Sequence, residues 1–181
     1  MEQQPAELID SPEEAPQEKF EAIRQRLLKA IVYVFAGLGL PALAAALLEA
    51  IQYDLWISAF VYTGLYLPVL AAAVFFKRLP FAAVAWLLFA AIYGTGVFSL
   101  FNGGLSGAGL HLLLALCALA SVLSGLRTGL GVMGGSLIAI IAAAAGFSSG
   151  FFSLHPLYAA NSTAIFSWAA AAAMFLLLGA A

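Results

Sequence analysis

Seven side chains have the types and spacing to meet a ligand: Glu49, Asp54, Trp56, Asn102, His111, His155 and Tyr158. Two imidazoles and two carboxylates together make a donor set suited to a divalent metal, because neutral His nitrogen and ionised carboxylate oxygen are its usual ligands. The indole N–H, the amide and the phenol add groups that orient a small polar molecule. These residues lie in or beside three connections between apolar stretches, around 49–54, 102–109 and 148–163. The same residues also fit a plainer arrangement, with Trp and Tyr in an interfacial belt and loop polars facing water. They are therefore candidate ligand contacts on one face, and the sequence assigns them no metal and no cofactor. No nucleophile, base and acid can be assembled from the rest of the chain, and no HExxH occurs. Catalysis by this chain alone is not indicated.

The elements that position these residues follow from composition. Of 181 residues, 64% are hydrophobic and 9% charged, with a mean hydropathy of +1.03. A soluble domain has about 25% charged residues, so lipid is the expected main solvent and partner. Six apolar stretches are long enough to read as membrane helices: 31–48, 55–76, 81–101, 110–126, 129–147 and 164–181. Backbone facing lipid must satisfy its own hydrogen bonds, so each should be a helix. Short connections make neighbours antiparallel. All seven basic residues can then be placed on one side. Lys19, Arg24, Arg26 and Lys29 precede the first stretch, Lys77 and Arg78 follow the second, and Arg127 follows the fourth. The positive-inside rule gives an all-α, polytopic bundle of six antiparallel spans with both termini cytoplasmic.

Residues 1–18 read as an acidic, disordered cytoplasmic tail, and 19–181 as the membrane domain. A helix is expected to start near Pro16 and to run as a basic amphipathic segment into the first span. Pro41 and Pro68 lie inside spans, where each can kink its helix. No Asp, Glu, Lys or Arg lies within a span away from its ends. That argues against an ion-coupled carrier, because a charge buried in lipid costs several kcal/mol and persists only for function. The lack of a basic face beyond Leu79, where Arg127 is the only charge, argues against nucleic acid. The few mid-membrane polars, Thr63, Tyr66, Tyr93, Thr95 and Ser121, can bond to carbonyls one turn back. Glycines at four-residue spacing, Gly125–Gly129, Gly131–Gly135 and Gly146–Gly150, with Gly37–Gly39 and Gly94–Gly96, allow close helix packing within the chain or in a homodimer.

Lys77-Arg78-Leu79-Pro80 opens a helix, a Gly103–Gly109 turn leads into a leucine-rich helix, and that helix ends in Ser124-Gly125-Leu126-Arg127-Thr128-Gly129-Leu130. This succession resembles the N-terminal membrane region of bacterial sensor histidine kinases and related PAS-containing signalling proteins. The resemblance covers residues 20–181 and carries over no ligand-binding residue. It implies a sensory or anchoring input module of a two-component type, relaying a cue through the sixth span to a cytoplasmic output domain after Ala181. No PAS, kinase or cyclase sequence is present. The sixth span also lacks a basic residue at its inner end, as expected of a longer protein's membrane portion. Two other readings fit the composition: a small transporter or permease subunit for an uncharged substrate, and a structural subunit that assembles a membrane partner.

Overall fold

A computed structural model of the chain describes residues 14–106 and 108–151. The stretch expected as a sixth span, 164–181, lies outside the described residues, as do residues 1–13 of the acidic tail. Among the described residues five α-helices run in order: α1 Glu14–Tyr53, α2 Trp56–Val74, α3 Phe81–Gly103, α4 Gly109–Ser124 and α5 Leu126–Ser148. A 3₁₀ turn, Gly104–Ser106, joins α3 to α4. No strand occurs among the described residues. Four of the helices, α1, α2, α3 and α5, are long and apolar enough to cross a membrane. The fourth, α4, is apolar but has 16 residues, about 24 Å at 1.5 Å per residue.

The basic amphipathic segment and the first apolar stretch form one 40-residue helix. Nothing between Pro16 and Pro41 breaks the backbone pattern. Pro41 removes one N–H from the ladder, the one that would reach the carbonyl of Gly37, yet the helix continues to Tyr53. It stops at Asp54, which takes a left-handed φ of 56°. The Leu55 N–H then reaches back to the Ala50 carbonyl at 2.8 Å, a closure usually built on glycine.

Two boundaries differ from the expected ones for the same kind of reason. The fourth stretch was expected to run to Leu126, and the fifth to start at Gly129. Instead the chain turns at Gly125, with φ 92° and ψ 165°, a region essentially confined to glycine. The 102–109 connection is also tighter than a flexible loop, since Asn102 and Gly103 still belong to α3 and Gly104 turns the chain at φ 58°.

Consecutive helices pack antiparallel, and α3 touches all four others. Two buried clusters stack along it. One holds Leu28, Val32, Val84, Leu88, Leu116 and Leu123. The other holds Leu100, Leu113, Ile140 and Phe147. The first marks the end that carries every basic residue. Arg24 of α1 donates to the Leu123 carbonyl at the end of α4, beside Arg127, and Lys77 and Arg78 sit in the α2–α3 turn at that same end. The outward faces are apolar: Ile57 is 77% exposed, Phe60 76% and Ile138 70%. A surface of this kind is compatible with lipid rather than water.

Candidate functional site

A cleft of about 410 Å³ lies among α1, α2, α3 and the start of α4. At the basic end, α1 closes on α4 through Leu28, Val32 and the Arg24 contact. Beyond that closure the two helices part, and Ala42, Leu43 and Ala46 of α1 face Ala108 and Leu112 of α4 across the opening. The walls are mostly aliphatic and aromatic, and no charged side chain is among the lining residues. That is the composition of a site for an apolar small molecule, with a few polar groups to orient it.

Those polar groups share one level. Leu65 of α2 lies against Gly94 of α3, where an added Cβ would sit 2.8 Å from its Cδ2. The Tyr62 and Phe98 rings meet edge-on at 5.3 Å. This register sets Tyr66 beside Thr95. The Tyr66 ring also fills the notch left by Gly39, where a Cβ would collide with it, and the Tyr66 hydroxyl donates to the Ala36 carbonyl of α1. That contact braces α1 one turn before Pro41. The Thr95 hydroxyl donates to its own helix, at the Ala91 carbonyl, 2.8 Å away. Tyr62 and Ser99 add two more hydroxyls one turn further out.

The mid-membrane polars therefore divide into two kinds. Thr95 and Ser121 bond one turn back, the latter to the Cys117 carbonyl at 2.9 Å, as their short side chains allow. Tyr66 and Tyr93 cross to other helices instead, because a phenol hydroxyl stands too far from its own backbone to fold back. Tyr93 donates to the Gly135 carbonyl at 3.0 Å. A tyrosine in mid-span was the available signal for a helix-to-helix contact. Ser99 gave no signal in the sequence beyond its type.

The ligand candidates read from the sequence are placed as follows. Asp54 and Trp56 come together: the indole Nε1 donates to Asp54 Oδ1 at 2.6 Å. Asn102 bonds to its own helix, at the Phe98 carbonyl, 2.9 Å away. His111 is exposed on the first turn of α4, and Glu49 lies on the last turns of α1. These five share the end of the bundle opposite the basic residues. Among the described residues, no three His, Cys, Asp or Glu side chains gather as a metal site would require. His155 and Tyr158 lie outside the described residues.

A second hollow, about 560 Å³, opens between α3 and α5 at the basic end, lined by Trp86, Phe89, Tyr93, Arg127 and Gly131 among others. The glycines sort by neighbour. Gly39, Gly94, Gly96, Gly109, Gly129 and Gly135 each face another helix of this chain, whereas Gly37, Gly64, Gly131 and Gly134 meet nothing within 4 Å. Of the Gly131–Gly135 pair, Gly135 thus meets Tyr93, whereas Gly131 borders the open part of the α3–α5 hollow.

No curated protein and no solved structure matches the chain. The sequence does match the MASE11 family over residues 22–181, which spans the described helices from α1 onward, and the MASE families are membrane sensor domains of signalling proteins. An all-helical, lipid-facing bundle with an uncharged cleft and a match across most of its length is a membrane-associated sensory module, and the chain belongs to the MASE11 family.

Proposed function

We propose that this chain is the input module of a bacterial signalling protein of the histidine kinase type, anchored in the inner membrane by six spans. The observation that carries the reading is the family match over residues 22–181. In this reading both termini are cytoplasmic, because the end of the bundle that holds Lys77, Arg78 and Arg127 has the charge that stays inside. Residues 164–181 form the sixth span. A cue received in the outer half of the bundle biases two helix arrangements, and the sixth span carries the difference to a PAS-containing or kinase output domain after Ala181. A cue acts only through differential affinity for the two arrangements. Gly134 of α5, where an added Cβ would meet nothing within 4 Å, supports a homodimer, since small residues let helices of two copies approach closely in lipid.

A reporter kinase fused after Ala181 tests the proposal. Its output is expected to change on exposure to extracellular extracts or lipids and to lose that change when the cleft is filled. Output indifferent to every cue and to every substitution on the outer half counts against sensing. The cleft also favours one competing reading, a carrier for uncharged molecules. Flux of such a molecule into proteoliposomes holding this chain alone would decide for it.

A further inference from the structure

We propose that the α1–α4 cleft binds a neutral, lipophilic alcohol that enters from the bilayer and presents its hydroxyl proton to Tyr66 and Thr95. The proposal rests on the sensory reading above and gives that reading its ligand class.

The argument starts from where the protons already are. A hydroxyl has one proton to donate and two lone pairs to accept with. Tyr66 donates its proton to the Ala36 carbonyl, and Thr95 donates its own to the Ala91 carbonyl at 2.8 Å. Both oxygens are left with lone pairs only, and they stand at the same level of one apolar cavity. A ligand whose polar group is a hydrogen-bond donor satisfies them. Between Tyr66 and Thr95 a ketone, an ester or a quinone meets only further lone pairs, and an oxygen left unpaired there is costly; the other hydroxyls of the lining, Tyr62 and Ser99, stand one turn further out, so a carbonyl group is left to that outer level. The ligand carries no charge, because no ion or counter-ion lines the cleft and a bare charge at this depth is expensive.

Depth and shape restrict the ligand further. Tyr66 stands ten residues into α2, about 15 Å below the helix start at 1.5 Å per residue, so the hydroxyl is met near mid-bilayer. The cleft's volume, about 410 Å³, lies in the range of small-molecule sites. Its opening, between Ala42 and Ala46 of α1 and Leu112 of α4, is lined by small or aliphatic side chains, so an alkyl or isoprenoid chain passes it without desolvating a polar group.

The test uses the full chain in lipid nanodiscs with a diazirine-bearing decanol as photoprobe and peptide mapping as readout. Competition with 2-decanol and with 2-decanone compares a donor and an acceptor of one shape. The expected result is labelling within 35–46 and 91–99, competed roughly tenfold more strongly by the alcohol, the range of one buried hydrogen bond. Thr95→Val, which keeps the side-chain shape and removes the lone pairs, is expected to shrink that preference to about twofold or less while the fold is retained, checked by circular dichroism. Ala42→Leu is expected to abolish labelling in the cleft. Equal competition by alcohol and ketone overturns the proposal. So does labelling unaffected by Ala42→Leu, or crosslinks showing that residues 164–181 occupy the cleft. The same alcohols are then applied to the reporter fusion. Binding with the Thr95-dependent preference but no change in output leaves the site standing and removes the sensory reading. Output that responds to another cue, with no binding in the cleft, does the reverse.

Discussion

Replacing Gly109 by alanine adds one methyl group where, among the described glycines, a Cβ would come closest to the backbone of another helix. A Cβ there would lie 2.6 Å from the Gly96 carbonyl oxygen and 2.7 Å from the Leu100 nitrogen, both backbone atoms of α3. Neither can rotate away, so α3 and α4 must separate until the closest pair reaches ordinary contact at 3.4 Å, a shift of about 0.8 Å (3.4 − 2.6). A gap of that size forfeits a quarter to a half of each contact's attraction, itself about 0.1–0.2 kcal/mol per atom pair. Leu100 and Leu113 are fully buried beside the crossing. With on the order of 50 atom contacts between them across it, the loss comes to about 2 kcal/mol, inside the range for overpacked cores. Gly109 is the first residue of α4, so alanine recovers little helix propensity in return. Gly131→Ala is the control, since that glycine is mid-helix, exposed and meets nothing within 4 Å; it is expected to gain up to about 1 kcal/mol. Reversible unfolding in mixed micelles, followed by circular dichroism, measures both. Equal effects from the two substitutions, or a neutral Gly109→Ala, would show that the α3–α4 crossing is not held by backbone contact.

Gly125→Ala is expected to cost about 1–3 kcal/mol in the same assay, because its φ of 92° and ψ of 165° lie where a Cβ is strained. At Asp54, with φ 56°, Asp54→Val should lose about 1–2 kcal/mol. Asp54→Gly should be no less stable than the parent despite losing the Trp56 contact. Arg24→Gln removes a charged donor from the Leu123 carbonyl and should lower stability by about 1 kcal/mol, with the loss shrinking as salt is raised. Maleimide labelling of single cysteines in intact cells should mark position 102 from outside and position 77 only after permeabilisation; the opposite pattern would invert the proposed topology.

The helices were legible because lipid-facing sequence has few alternatives. Apolar runs of span length and basic residues confined to alternate turns leave one antiparallel arrangement, and α1, α2, α3 and α5 follow it. The errors sit at glycines. Gly125 lies inside an unbroken apolar pattern, and hydropathy does not register that its backbone turns left-handed. The continuity of α1 was implicit in the absence of any breaker between Pro16 and Pro41, although the change from basic to apolar composition looks like a boundary. The cleft was not legible. It lies among α1, α2, α3 and the start of α4, and that depends on which helices meet rather than on any local motif. Of the polar candidates, Asp54 and Trp56 were read onto one face and do meet. Which carbonyl takes the Tyr66 proton depends on how α1 meets α2.

Helix α1 is about 60 Å long at 1.5 Å per residue, twice the roughly 30 Å of hydrocarbon it has to cross. Any tilt of it about the point where Tyr66 packs at Gly39 would be multiplied along that length. Glu14 stands 25 residues from that point, about 37 Å, so each degree of tilt carries the far end about 0.65 Å sideways. A tilt of about five degrees moves Glu14 by about 3 Å and Arg24 by about 2 Å. A displacement of that size takes Arg24 out of hydrogen-bond reach of Leu123. Leu28 and Val32, buried between the two points, would have to repack in the same movement, so the Arg24 bond and that core contact would give way together.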